Sequence, residues 1–297
     1  MIDRITIKSL SEIKPWRSIT VICGEWFLIL LPLILIYHHW SWWLYLILIF
    51  WIGGRQHALG ILIHEAAHYR LFSNKWVNDI VSELFLAYPL FVSTGTYRKN
   101  HFAHHHFLNT TEDPDWVAKD NYEWQFPQPR AFFLKTLAKD FCGNFVLQIQ
   151  KRLWKKKRSA IHAGTRSGNN YIFPSLKVAF YMLLIFVLFY FHMWQYFLLC
   201  WVIPLITWNS VALKIRSIAE HSNLTHLPPE ARTRTTYPTT LERLFIVSHN
   251  VGYHTAHHLY PSIPYYNLPL IHQMLEEQGY PMHINHSYME VLKECME

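Results

Sequence analysis

The chain has 297 residues, of which 51% are apolar and 16% aromatic, with 13 Trp. Only 16% are charged, against about 25% in an ordinary soluble domain, and the apolar residues fall in long blocks, so an ordinary soluble fold is excluded. The net charge of +7 comes from Lys and Arg that flank those blocks, as membrane orientation signals do, and nucleic acid is not an expected partner.

Residues 1–18 are polar and basic, carrying Arg4, Lys8, Lys14 and Arg17. From 19 to 37 the chain is apolar apart from Glu25. No small-residue cleavage site follows, which predicts a first membrane span and not a removed signal peptide. A second span is expected over 42–63, with Arg55 and His57 near the membrane edge. A helix rises about 1.5 Å per residue, so about 20 residues cross a bilayer and the stretch 19–63 holds two spans joined by a tight turn. Residues 176–191 and 196–213 repeat the design. Neither turn contains Lys or Arg; these lie at the opposite ends, at the N-terminus, Arg55, Arg70, Lys155–Arg158, Lys214 and Arg216. The positive-inside rule therefore predicts both turns outside, with the His clusters and both termini cytoplasmic.

Between the pairs, residues 80–93 are apolar but short, and 130–153 carry a helical apolar stripe; both predict interfacial helices. The run Lys155–Arg158 reads as a positive-inside anchor, and 160–170 as a loop. Asn267 is expected to cap a short amphipathic helix that stops before Gly279. Cys23, Cys142, Cys200 and Cys295 form no CxxC pair and read as reduced thiols. The expected fold class is all-α: one integral membrane domain over 1–297, four transmembrane helices in two hairpins, and a cytoplasmic helical cap.

Twenty histidines are the outlier in this composition, and ten fall in four clusters. HEAAH places His64 and His68 four residues apart on one helical face. His101, His104 and His105 stand at i, i+3 and i+4, and His254, His257 and His258 repeat that spacing. His221 follows Glu220 just beyond the last span. His106 points away from the other three histidines of its run, at about 100° per residue. So many imidazoles exceed the six or so positions of one ion, which implies two. Nitrogen-only ligation with spare positions favours iron over magnesium, calcium or structural zinc. Asp113, Asp115 and Glu220 are candidates for orienting those imidazoles, while DPD serves equally as a turn cap. His57 reads as a buried polar neighbour.

HEAAH (64–68), HFAHH (101–105) with LNTTEDPD (108–115), EH (220–221) and HTAHHLYPSIPYYNLP (254–269) together resemble the membrane fatty acid desaturase superfamily, over about residues 19–275. The resemblance implies a non-haem di-iron site held by His64, His68, His101, His104, His105, His221, His254, His257 and His258. It implies O₂ as co-substrate and removal of two hydrogens from a lipid-, CoA- or carrier-linked acyl chain. In some animal desaturases an Asn stands four residues before the single histidine and contacts a metal-bound water. Ser217 stands there in this chain, leaving Asn209 and Asn250 as candidates for that contact. No GxGxxG follows a strand and no HPGG haem signature is present, so electrons are expected from a separate ferredoxin or cytochrome b5 type protein. A lipid or carotenoid hydroxylase or ketolase of the same superfamily is the alternative. An intramembrane HExxH zinc protease with Glu65 as general base is the remote one.

Overall fold

Four helices of the computed structural model are long and apolar enough to cross a membrane: Pro15–His38, Trp42–Ala67, Phe173–Tyr190 and Trp194–His221. The structure describes residues 2–119, 121–144, 172–224, 227 and 231–296. The basic run Lys155–Arg158, the 160–170 loop and the second half of the 130–153 stripe lie outside the described residues.

The first and second long helices are joined through His39–Ser41, where the apolar run is broken. They are tied side by side by the Trp51 indole, which donates to Leu28 O at 2.8 Å, and by Arg55 and Glu25 at 3.1 Å. The second helix is the axis of the molecule, with nearly every residue from Ile52 to Ala67 buried. Gly53 admits the fourth helix: a Cβ there would lie 2.8 Å from Trp208 Cβ and 2.9 Å from Asn209 N. Tyr45 and Gln56 donate to Leu199 O and Trp201 O, so polar groups at membrane depth are spent on backbone carbonyls. The third long helix lies outermost, with no buried residue from 173 to 190. It is held through Tyr88, which donates to Phe173 O and whose own carbonyl accepts from the Tyr181 hydroxyl.

The fourth helix differs from the expected 196–213 by continuing to His221. It is irregular early: Pro204 has no N–H to give and a π turn covers Leu198–Val202. At Thr207 the backbone breaks, and Trp208–His221 then runs on despite its charges because each charge is matched. Lys214 meets Asp140 at 2.8 Å and Arg216 meets Glu220 at 2.6 Å, all four buried. Asp140 belongs to the short helix Arg130–Phe141, which the first of these pairs locks to the bundle. Removing one partner of a buried pair strands the other charge. Asp140→Asn is therefore expected to cost about 3–5 kcal/mol, read as a lower thermal midpoint in detergent.

The segment expected to be interfacial over 80–93 is helical from Lys75 to Leu90, through a π turn at Glu83–Ala87 and a 3₁₀ turn at Tyr88–Leu90. Its Trp76, Val77, Ile80 and Phe85 are exposed. Helix Leu268–Glu277 forms and stops at Gly279, whose φ is +68°. Asn267 makes no capping bond, however; its amide donates to Leu10 O at 2.7 Å and ties this helix to the N-terminal helix Arg4–Leu10. The described residues are mostly helical, with one two-stranded parallel ladder, Arg234–Thr236 on His283–Asn285, that sequence periodicity did not announce.

Candidate metal centre

All four His-bearing segments meet at one end of the bundle. His64 lies in the last turn of the second helix and His68 caps it. Helix Thr94–Phe107 carries His101, His104 and His105, the fourth long helix ends on His221, and helix His254–Leu259 carries the last three. Arg98 links the first two segments: it donates to Ala66 O and Ala67 O, placing a cation at the negative end of the second helix. Its guanidinium also pairs with Asp79.

The nine imidazoles fall into two groups, His64, His68, His101, His105 and His257 in one, His104, His221, His254 and His258 in the other. Within each group the candidate donor atoms all lie within 4.8 Å of one another. The division follows helical spacing. Each i, i+4 pair (64/68, 101/105, 254/258) stays together, while the i+3 residues His104 and His257 cross to the opposite group. His106 is in neither; it is exposed, its ring against Phe107. His57 also stands apart, with Nδ1 against Ile246 O.

In the first group Nε2 of His101 lies 2.9 Å from that of His68 and 3.0 Å from that of His105, which is 3.1 Å from His257. In the second, Nε2 of His221 lies 3.1 Å from His104 and 2.9 Å from His254, which is 3.0 Å from His258. These contacts cannot all be hydrogen bonds. A ring nitrogen offers either one N–H or one lone pair, and the Nε2 atoms of His101, His105, His221 and His254 would each have to serve two partners with it. Lone pairs converging on a common centre explain the pattern. Two nitrogens about 2.1 Å from one ion and at right angles to each other are about 3.0 Å apart, whereas tetrahedral angles require about 3.4 Å. The observed spacing therefore fits an ion with more than four positions. Among the described residues both nitrogens of buried His64 lack a hydrogen-bond partner, which leaves its Nε2 free to act as a ligand.

The opposite ring nitrogens are oriented from behind. His104 Nδ1 donates to Asp113 Oδ2 at 2.9 Å, and His221 Nδ1 reaches Arg232 O at 3.3 Å. Glu65 and Glu220 lie beside His64 Nδ1 and His254 Nδ1, each at 3.4 Å, without closing a hydrogen bond. An Nδ1–H held as in His104 and His221 leaves Nε2 bare. Burial, then neighbouring imidazoles, pushes His68 down to about 3 and His105 to about 4, and keeps His101, His254, His257 and His258 well below their ordinary value. All are neutral near pH 7 and ready to ligate.

Asp113 serves both of its expected roles. Besides His104 it accepts from Asn109 N and Asp115 N, the latter capping helix Pro114–Ala118. Burial raises its carboxyl, but the hydrogen bond and charge of His104 and the two backbone N–H groups outweigh it, and its pKa falls below the usual value. Asp113→Asn is expected to weaken metal binding in the second group by about 10–100-fold, measurable by competition with a chelator. Asp115 touches no imidazole; it lines a cavity of about 230 Å³ beside His104 and His221, with Lys119, Trp116 and Trp124. Sequence spacing does not announce the carbonyl of Arg232 behind His221, nor the place of Glu65 beside His64 Nδ1. The Asn209 amide donates to Leu205 O and the Asn250 amide to Tyr265 O, so both candidates for the water contact are engaged with backbone.

A family model described as fatty acid desaturase matches residues 40–289. A dihydrorhizobitoxine desaturase from Bradyrhizobium elkanii is 31% identical over 255 residues, 81% of this chain and 70% of that protein. An sn-1 oleoyl-lipid 12-desaturase from Anabaena variabilis is 23% identical over 78% of this chain and 69% of its own length. A sphingolipid delta(4)-desaturase/C4-monooxygenase from Homo sapiens is 46% identical over 46 residues, 16% of this chain and 14% of that protein.

Proposed function

Because the chain belongs to the fatty acid desaturase family, and is thus an oxidoreductase, we propose that it is a di-iron, O₂-dependent desaturase that places a double bond in a lipid-, CoA- or carrier-linked acyl chain. The observation that carries this reading is the convergence of nine Nε2-bearing rings on two centres, backed by three carboxylates, at one end of an apolar bundle. His64, His68, His101, His105 and His257 would hold one iron, and His104, His221, His254 and His258 the other. Bound there, the two irons would supply the reduction of O₂ that makes removal of unactivated C–H hydrogens feasible.

The chain's own contribution is geometric and electrostatic. Asp113 fixes the His104 ring from the Nδ1 side, Glu65 and Glu220 place carboxylates beside His64 and His254, and the buried surroundings keep bulk water from the rings. Glu65 is poorly placed for a protease base: its other oxygen accepts Tyr265 N at 3.0 Å, behind His64 and away from the Nε2 atoms. The whole chain is read as one domain with its His end and termini on the cytoplasmic side, where a separate ferredoxin or cytochrome b5 type donor would deliver electrons.

Expression in a host with a simple fatty acid profile tests the reading. A product two hydrogens lighter, lost in His221→Ala, supports it. A product heavier by one oxygen supports the hydroxylase alternative, which the relative named both desaturase and monooxygenase favours. One relative is named for dihydrorhizobitoxine, so the soluble extract is profiled beside the lipids. A change confined to that extract would refute an acyl-lipid substrate.

A further inference from the structure

Just before the last His cluster, helix Thr240–Phe245 ends against the middle of the second long helix. Phe245 packs on Trp51 with ring centres 5.9 Å apart, and a Cβ at Gly54 would stand 2.8 Å from Phe245 O. The last carbonyls of a helix have no partner within it and normally turn to water. Here four in succession are taken by side chains of the long helices. Arg55 Nη2 donates to Arg243 O at 3.2 Å and to Leu244 O at 2.6 Å. The Trp208 indole donates to Phe245 O at 2.6 Å, and His57 Nδ1 meets Ile246 O at 2.5 Å. The remaining charges are closed off as well: Glu25 accepts from Arg55 Nη1 and lies 3.1 Å from His249 Nε2. Such matching of successive backbone carbonyls by side chains is what non-spanning backbone needs at hydrocarbon depth.

Depth can be placed on the reading of the four helices as spans, on which this inference rests. Glu25 and Arg55 each lie thirteen residues from the turn joining the first two helices. That is about 20 Å at 1.5 Å per residue, in a hydrocarbon core about 30 Å thick. The clamp is thus about 10 Å inside the boundary on the His side. On the outer face of the short helix Leu241 is 69% exposed and Leu244 37%. Phe50 and Ile47 of the second helix, nearer the turn, are also exposed apolar residues. Arg243, also exposed, turns its head to Pro238 O at 3.2 Å, at the start of the helix, as a snorkelling side chain does. Glu242 points inward, holding Thr239 N and Met289 N.

We infer that helix Thr240–Phe245 is a re-entrant element of the cap, sunk into the bilayer with Leu241 and Leu244 against lipid acyl chains and its C-terminal carbonyls sealed by Arg55, Trp208 and His57. The partner of this face is the acyl region of membrane lipid. The last His cluster is then supported from within the membrane and does not rest wholly above it.

The test uses full-length protein in phosphatidylcholine vesicles, with exposed Cys23 and Cys142 replaced by serine, Cys200 and Cys295 left buried, and one accessible cysteine at a time labelled with a bimane fluorophore. Leu241→Cys and Leu244→Cys, at exposed positions, report on the element. Ile47→Cys reports a lipid-facing site on the second helix, and Gln278→Cys a water-facing one among exposed polar neighbours. Nitroxide-bearing phosphatidylcholine is expected to quench the labels at 241 and 244 as strongly as the one at 47. Aqueous iodide is expected to quench them about fivefold or more less than at 278, for a face sunk 5–10 Å. Iodide quenching at 241 and 244 equal to that at 278, with 47 quenched by lipid, would overturn the inference while leaving the spans intact. Failure of lipid quenching at 47 would overturn the spans and the inference together.

Discussion

His221→Ala is expected to bring the metal content of the purified protein from two ions per chain to one or fewer and to abolish product formation. His106→Ala is expected to keep both ions and its activity. His221 is the fourth helix's contribution to the centre, with Nε2 between those of His104 and His254 at 3.1 and 2.9 Å. Its loss leaves three nitrogens in the smaller group, below the four that even zinc takes in closed sites. His106, one residue from His105, faces solvent. His105→Ala is expected to lose iron and activity because its Nε2 stands between His101 and His257. Elemental analysis of the three variants reads the result. Equal metal loss in His105→Ala and His106→Ala would refute this register.

Gly252→Ala is expected to be nearly as damaging without touching a ligand. An added Cβ would lie 2.1 Å from Thr236 O, where backbone pairs with backbone: Thr236 N donates to Gly252 O at 2.9 Å. Ordinary contact begins near 3.4 Å, so strand Arg234–Thr236 or the approach to His254 must move. Overpacking of this severity costs about 3 kcal/mol or more, a fall in thermal midpoint of roughly 6–12 °C for a chain of this size. His254 follows two residues later, so metal should be lost along with stability. Gly24→Ala is the matched control, since among the described residues nothing beyond its own helix backbone and chain neighbours lies within 4 Å of the added Cβ. Equal midpoints for the two variants would show that the close approach at Gly252 relaxes freely.

The long helices were legible because uninterrupted apolar runs have few alternatives, and the His clusters because i, i+3, i+4 spacing puts side chains on one face. The end of the fourth helix was not. Lys214, Arg216 and Glu220 look like the start of an aqueous loop until Asp140, seventy-four residues away, is seen to match the first of them. The division of the ligands between two centres was equally hidden, since it depends on how helices Thr94–Phe107 and His254–Leu259 face each other. The same holds for the seal over 243–246, made by residues far away in the chain. Asn267 shows the converse: a sound local capping signal gave way to a tertiary bond with Leu10.

The crossing of His104 and His257 into the opposite groups has a mechanical consequence. Each of two helices carries histidines of both groups, so the distance between the two candidate centres is ruled by the stiffness of a single helical turn and not by any loop. Two ions held by these residues would not settle independently, since a shift at one centre would move nitrogens that face the other. Loading should therefore be cooperative, with the singly occupied protein a minor species during titration. A change of charge at one ion would be felt at its neighbour as a displacement as well as a field.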